Sequence, residues 1–100
     1  MNIKDCSFES LNEVKRIFEY NIDILHMNDE FPFRQACFKR KIEIIEYLVE
    51  LGKRNKSKIN IYACNGIAMS RACCGGHLDV VKYLLYKLNV GLKYIFKKIL

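Results

Sequence analysis

The sequence lacks the features that would place it in several large classes of proteins. It has no run of about 18 apolar residues, the length needed to span a bilayer, and its start, MNIKDCSFES, has no apolar signal-peptide core. Its five cysteines are an odd number, which argues against a disulfide framework. These absences predict an intracellular protein with reduced thiols, placed most simply in the cytoplasm.

Acidic residues are almost missing from the second half of the chain. Residues 53–100 carry ten basic side chains and one acidic side chain, Asp79, whereas residues 1–52 carry seven basic and ten acidic ones. The net charge of +6 is therefore concentrated at one end, where it favours acidic partners. One hundred residues suffice for a single core, and an apolar content of 51% predicts that the chain folds.

Strand-like alternation is nearly absent too, and helical periodicity takes its place. Three segments share one layout, in which an aliphatic residue is followed by a polar one and then by apolar residues three and four apart: LNEVKRIF from Leu11, IEIIEYLV from Ile42 and LDVVKYLL from Leu78. Their starts lie 31 and 36 residues apart, close to the period of about 33 residues of a repeat with two helices. The sequence therefore predicts an all-α stack of repeated units.

A shorter helix is predicted ahead of the second and third segments. At an offset of 36 residues the matched pairs are Phe33 and Met69, Ala36 and Ala72, and Cys37 and Cys73. Small residues let the longer helix approach closely. Because Cys6 falls at the same position in the first copy, we interpret these cysteines as packing residues.

The ends of the long helices carry their own signals. Ser10 and Glu13 have the spacing of a capping box at the start of the first one. Gly52 is expected to end the second one. The charged segment that follows, residues 53–58, is then predicted to be a lengthened loop, which we call the basic segment.

The segment GIAMSRACCGGHLDVVKYLL resembles the ankyrin repeat, whose usual form reads G-x-T-P-L-H-x-A-A-x-x-G-H-L-E-V-V-K-x-L-L. The second copy matches less fully, since Arg34 stands where the family has His and Arg40-Lys41 replaces Gly-His. The first copy keeps only its long helix. The stretch RACCGGHLDVVKYLL is also similar to the ankyrin proteins of giant DNA viruses of amoebae, which would imply a location in the host cytoplasm.

This resemblance implies an ankyrin-repeat solenoid of about two and a half to three stacked helix–turn–helix units. We divide the single domain, residues 1–100, into a partial N-terminal capping repeat at 1–24, a second repeat at 25–57 and a third at 58–88. Residues 89–100 include the amphipathic stretch GLKYIFKKIL. We predict a C-terminal capping helix there and not a membrane-surface helix, because the stretch is short.

No arrangement of residues predicts catalysis or a cofactor. His26 and His77 lie in no motif that would pair them with a nucleophile, and the resemblance gives the imidazole of His77 the role of satisfying backbone groups near a helix start. Cys64, Cys73 and Cys74 could join His77 as zinc ligands, but paired C-x-x-C knuckles are missing. We therefore predict a protein that is not an enzyme and binds no metal.

The resemblance implies that partners contact the hairpin tips and the inner helices. Carried over to this chain, those positions are Met27, Asn28, Glu30, Phe38 and Lys39. The basic segment adds four cations, and a nearby tyrosine offers a stacking surface: Lys53, Arg54, Lys56, Lys58 and Tyr62.

Two functions fit this pattern. The first is a monomeric protein–protein interaction module, because a rigid helical stack docks with little ordering cost. Its expected partner is an acidic protein, because the second half of the chain is basic. The alternative is an electrostatic binder of nucleic acid or an anionic surface through the basic half. Salt separates them, since binding to phosphates weakens steeply as salt is added.

Overall fold

The computed structural model describes residues 8–88. Every regular element in this range is helical, as predicted, and none is a strand. The α-helices are α1 Leu11–Tyr20, α2 Met27–Phe38, α3 Ile42–Arg54, α4 Ala63–Cys74 and α5 Leu78–Lys82. A 3₁₀ turn, Ile22–Ile24, follows α1, and a π turn, Tyr83–Lys87, continues α5. The predicted C-terminal helix and Cys6 lie outside the described residues.

The helices pack in successive pairs. The inner helix α2 packs against the outer helix α3, and the inner helix α4 packs against α5. The two inner helices also contact each other, and α1 packs against α3. This is the predicted stack of helix–turn–helix units, in which each copy is stabilised by its neighbours.

One apolar core runs through the copies. Ala36 and Ala72 are both buried, and their carbonyls accept the N–H groups of Lys41 at 3.0 Å and His77 at 2.9 Å. The two alanines therefore occupy equivalent places in successive layers, as the 36-residue offset predicts. The larger side chains of the same core are Phe18, Phe33, Ile45, Leu48, Met69 and Leu84.

The start of the first long helix has the predicted cap. Ser10 is the N-cap of α1, and its hydroxyl accepts the N–H of Glu13 at 3.4 Å. That bond satisfies one of the backbone donors that a helix start leaves unpaired.

The first turn of each inner helix contains three residues with left-handed backbone angles, 28–30 in α2 and 64–66 in α4. The right-handed part of each helix begins only after these residues. In the second copy Arg34 donates hydrogen bonds from its guanidinium to the carbonyls of Asn28 at 2.6 Å and Asp29 at 2.8 Å. Arg34 thereby stabilises a turn whose left-handed residues carry a conformational cost.

Gly52 does not end α3, so that prediction is wrong. The helix continues to Arg54, and the residue with left-handed φ at its end is Lys56, at 54°. The N–H of Ser57 donates to the Gly52 carbonyl at 2.8 Å, and a Cβ on Gly52 would lie 2.7 Å from the Ser57 carbonyl oxygen. Glycine is needed here because the loop approaches closely. The basic segment consequently begins as the last turn of α3 and becomes a loop only after Arg54.

Leu78 is 64% exposed, although the periodic pattern predicts it on the core face. Val80 and Leu84 are buried instead. The equivalent residues of the earlier copies, Leu11 and Ile42, are half-buried and line one groove together. A side chain at this position is thus shielded by the copy that follows it, and no further copy follows α5 within residues 8–88.

Candidate functional site

An aromatic ring and a guanidinium meet on the inner helices. Phe38 lies at the end of α2 and is half-buried, and the guanidinium carbon of Arg71 on α4 lies 5.6 Å from the centre of its ring. A cavity of about 420 Å³ opens beside them, lined also by Cys74, Gly75 and His77. A cation over an aromatic face is favourable and holds both groups in place. We call these five residues the Phe38–Arg71 patch.

Cations next to this patch are paired with carboxylates of the same chain. Lys39, a predicted contact residue, donates to Glu9 at 2.9 Å, and Lys41 lies 3.3 Å from the other oxygen of Glu9. These lysines, Lys39 first, hold the pKa of Glu9 below its ordinary value. The charge of Lys39 is therefore partly balanced before any partner arrives.

A second ion pair joins the end of α2 to α5. The guanidinium of Arg40 donates to Asp79 at 2.9 Å. Desolvation opposes ionisation of Asp79, but the bonds from Arg40 and from the N–H of Val80 outweigh it, so the pKa of Asp79 is lowered. Both groups are exposed, which makes this a link between copies of modest strength.

The basic segment behaves differently. Lys53, Arg54, Lys56 and Lys58 are all exposed, and in the part of the chain that the structure describes none of them is in an ion pair. Lys53 and Arg54 also lie in the last turn of α3, where the helix dipole favours cations. The predicted cationic surface is therefore present and its charge is not balanced within residues 8–88.

Glu30 is not available to a partner, which corrects its place among the predicted contact residues. It is only 4% exposed, and its carboxylate accepts hydrogen bonds from Nδ1 of His26 at 2.7 Å and from the N–H of Asn60. Nε2 of His26 in turn lies 2.7 Å from the hydroxyl of Ser57. The buried carboxylate thus ties the left-handed first turn of α2 to the loop before α4. We call these four residues the Glu30 clamp.

The remaining predicted contact residues lie at the same end of the repeats as the Glu30 clamp. Asn28 is exposed, and its carbonyl is held by Arg34. Met27 and Tyr62 are half-buried and pack against the core. The structure therefore leaves Asn28 as an exposed hairpin residue, while Met27 and Tyr62 offer only part of their surfaces.

His77 does not satisfy backbone groups with its imidazole, so that interpretation is wrong. Its Nδ1 is buried with no hydrogen-bond partner, and its ring lies against Gly75. At the end of α4 the N–H of His77 donates to the Ala72 carbonyl at 2.9 Å.

The cysteines divide into packing residues and exposed thiols. Cys37 is buried, and desolvation raises its pKa to about 12. Cys73 is half-buried with its Sγ 3.7 Å from Sδ of Met69, whereas Cys64 and Cys74 are exposed. The packing interpretation of Cys37 is confirmed. Across residues 8–88 no group of three or more His, Cys, Asp or Glu side chains is arranged to hold a metal ion.

The repeat geometry agrees with a comparison with known protein families. The model for ankyrin repeats, in three copies, matches residues 4–94. The chain belongs to the ankyrin-repeat family. No curated protein and no solved structure shows a significant match to it. None of its helices within residues 8–88 has the length and apolar character to cross a membrane.

Arg71 is the main residue that sequence reasoning missed. It lies on the exposed side of an inner helix whose other face is buried, and only the packing of α2 beside α4 brings it over Phe38. The signal available in the sequence was its basic character at a position where the second copy has Gln35. That difference between copies marks it as a residue the repeat does not require.

Proposed function

We propose that this ankyrin-repeat domain binds a protein partner without catalysis, and that the Phe38–Arg71 patch is its principal contact. Ankyrin repeats are protein–protein interaction modules. The observation that carries the proposal is a half-buried aromatic ring under a guanidinium, beside a cavity of about 420 Å³. Aromatic and arginine side chains dominate the binding energy of many interfaces.

The basic segment is a separate cationic surface of the same proposed module, at the end of the repeats where Ser57 contacts His26. Its four exposed cations have no acidic partner within residues 8–88, so they favour an acidic protein and speed its approach. Lys39 lies next to Phe38, and the other predicted residues that keep exposed surface, Met27, Asn28 and Tyr62, lie at the opposite end of the inner helices. Neither a cofactor nor a metal is needed for this role.

Three finer points belong to the same proposal. We infer a monomer that works in the cytoplasm, because the cysteines suit a reducing compartment. The similarity of RACCGGHLDVVKYLL to ankyrin proteins of giant viruses of amoebae supports a viral protein acting in the host cytoplasm. A capping helix within residues 89–100 would shield the exposed Leu78 at the end of the stack.

The test is affinity capture from a cell lysate with the wild-type chain and with Phe38→Ala/Arg71→Ala. We expect the double variant to lose the captured proteins, because it removes the aromatic ring and the guanidinium of the patch. Tyr20→Ala is the matched control, since Tyr20 is an aromatic residue of α1 that is 82% exposed. Equal capture by all three chains would refute the patch as the contact.

A nucleic-acid or anionic-surface binder remains the second candidate, because of the cations of the basic segment. Binding of a labelled 20-nucleotide RNA at rising salt tests it, since each phosphate neutralised steepens the loss of affinity. Binding that is weak at low salt, or that hardly changes with salt, rules this candidate out.

A further inference from the structure

A second groove lies between the outer helix α3 and the π turn, and it shares no residue with the Phe38–Arg71 patch. Its floor is apolar, formed by the buried Val49 and Ile59 and the half-buried Ile61 and Leu88. Three exposed lysines stand around this floor, and the volume is about 210 Å³. The lysines are Lys53, Lys58 and Lys87. We call this site the lysine groove.

The groove is charged differently at its two ends. Its neighbouring section, of about 330 Å³, shares Val49, Lys53, Lys87 and Leu88 with it but is also lined by Glu46 and Glu50. Tyr83 lines this section, and its pKa is raised to about 12, first by burial and then by carboxylates such as Glu46. Lys53 and Lys87 line both sections, so a ligand that spans them meets Lys58 at one end and Glu46 and Glu50 at the other.

We infer that the lysine groove binds an acidic peptide segment of a partner protein through an apolar side chain that has carboxylates on one side only. The apolar side chain enters the floor formed by Val49, Ile59, Ile61 and Leu88, and the carboxylates pair with the lysines. The volume suits one side chain and is smaller than the pocket of a drug-sized ligand. The π turn that forms one wall is a type of irregularity often found at functional sites.

Two other occupants fit the groove less well. Residues 89–100 follow directly from Leu88, but they carry three lysines and no Asp or Glu, so the groove lysines repel them. A nucleic-acid backbone presents phosphates at regular intervals, and some would fall against Glu46 and Glu50. Only a short acidic segment places its carboxylates at one end alone.

This inference rests on the proposed protein-binding function and names the chemistry of a partner at a separate face. The test is fluorescence anisotropy with a labelled peptide, Ser-Gly-Ser-Leu-Phe-Asp-Glu-Asp, and the full chain. We expect Lys53→Glu/Lys87→Glu to lower its affinity at least about tenfold, because like charges replace the pairs. Arg16→Glu/Lys82→Glu is the matched control, since it reverses two exposed cations outside the groove and should change affinity less than about twofold.

Two further probes separate groove recognition from simple attraction. A peptide with Ser-Ser in place of Leu-Phe should bind at least about tenfold more weakly, because the apolar floor is left unfilled. A 12-nucleotide uridine RNA should bind more weakly than the acidic peptide. The inference is overturned if the wild-type chain does not bind the first peptide, if the Ser-Ser peptide binds equally, if the RNA binds more tightly, or if the control reversal is as damaging as the groove reversal.

The Phe38→Ala/Arg71→Ala variant keeps the two proposals apart. It should bind the acidic peptide like the wild-type chain, because the lysine groove shares no residue with the patch. Loss of peptide binding in this variant, with the groove reversal harmless, would overturn the lysine groove and leave the proposed function standing. If lysate capture does not depend on the patch while peptide binding depends on the groove lysines, the patch is overturned as the contact and the lysine groove stands.

Discussion

The second and third copies of the repeat reach the same backbone with different residues. Where the third copy has Gly66 with a φ of 70°, the second has Glu30 with a φ of 62°, and both residues are buried. Where the third copy ends its inner helix with Gly76 at 69°, the second uses Arg40 at 57°. Left-handed φ is nearly costless for glycine and costly for other residues.

The side chains of the second copy offset this cost. The carboxylate of Glu30 is held in the Glu30 clamp, and the guanidinium of Arg40 reaches Asp79. The third copy follows the family pattern at these places and gains no such bonds. The comparison teaches that a departure from a repeat pattern is informative, because the departing side chain makes contacts that the repeat does not need.

The largest expected effect is loss of core packing, which tests whether the two copies are equally important. Leu48→Ala and Leu84→Ala remove equivalent buried side chains of α3 and of the π turn. Each should lower the free energy of unfolding by about 2–5 kcal/mol. Leu48→Ala should be the more damaging, since α3 contacts both α1 and α2. Urea unfolding followed by circular dichroism measures this, and no change in either variant would contradict the stack.

The next effect comes from the Glu30 clamp. Glu30→Ala leaves His26 and the N–H of Asn60 without their partner, and should cost about 1–3 kcal/mol. Glu43→Ala is the control, because Glu43 is an exposed carboxylate on α3 and its loss should cost less than about 0.5 kcal/mol. Equal midpoints for the two variants in urea would show that the clamp contributes nothing to stability.

A smaller effect is expected at the ends of the inner helices. Gly76→Ala should cost about 1 kcal/mol, because φ is 69° there although the space is open. Arg40→Gly should change stability by less than about 0.5 kcal/mol, since relief of the left-handed φ is offset by loss of the exposed ion pair and by a freer unfolded chain. Thermal unfolding of both variants checks this, and a large loss in Arg40→Gly would mean that the ion pair dominates.

The smallest effect is the pH dependence from the surface ion pairs. Glu9 and Asp79 have pKa values below their ordinary values of 4.5 and 3.8. The ion pairs of these two carboxylates therefore add to the free energy of unfolding in full above those ordinary values. That contribution is lost as the pH falls through their lower pKa values in the folded chain. Glu9→Gln/Asp79→Asn should flatten the acid side of the stability curve. An unchanged slope in urea melts below pH 4.5 would exclude these two pairs as its source.

The sequence predicts the repeated architecture well, because the spacing of apolar residues is a property of each copy. The all-helical fold and the equivalence of Ala36 and Ala72 follow from that spacing. The role of Glu30 does not, since its partner Asn60 is 30 residues away and only the packed loop brings it near. The exposure of Leu78 does not follow from the spacing either, since burial at this position depends on a following copy and not on its own helix.

In the candidate site, too, the features that belong to one copy are predictable and those that need contact between copies are not. The exposure of the basic segment was predictable from its polar, charged composition. Its division between a helical turn and a loop is not predictable, because a glycine at this place predicts a helix end, whereas the structure uses Gly52 for close approach of Ser57. The pairing of Phe38 with Arg71 depends on the side-by-side contact of two helices in different copies, which no single repeat encodes.

The Glu30 clamp also bears on how the domain unfolds. In a linear array, cooperativity depends on the free energy that couples each unit to the next. A buried carboxylate shared between the two units adds directly to that nearest-neighbour coupling. Hydrogen exchange in α2 and α4 should consequently report a single opening event, so a partner that grips either helix would stiffen both.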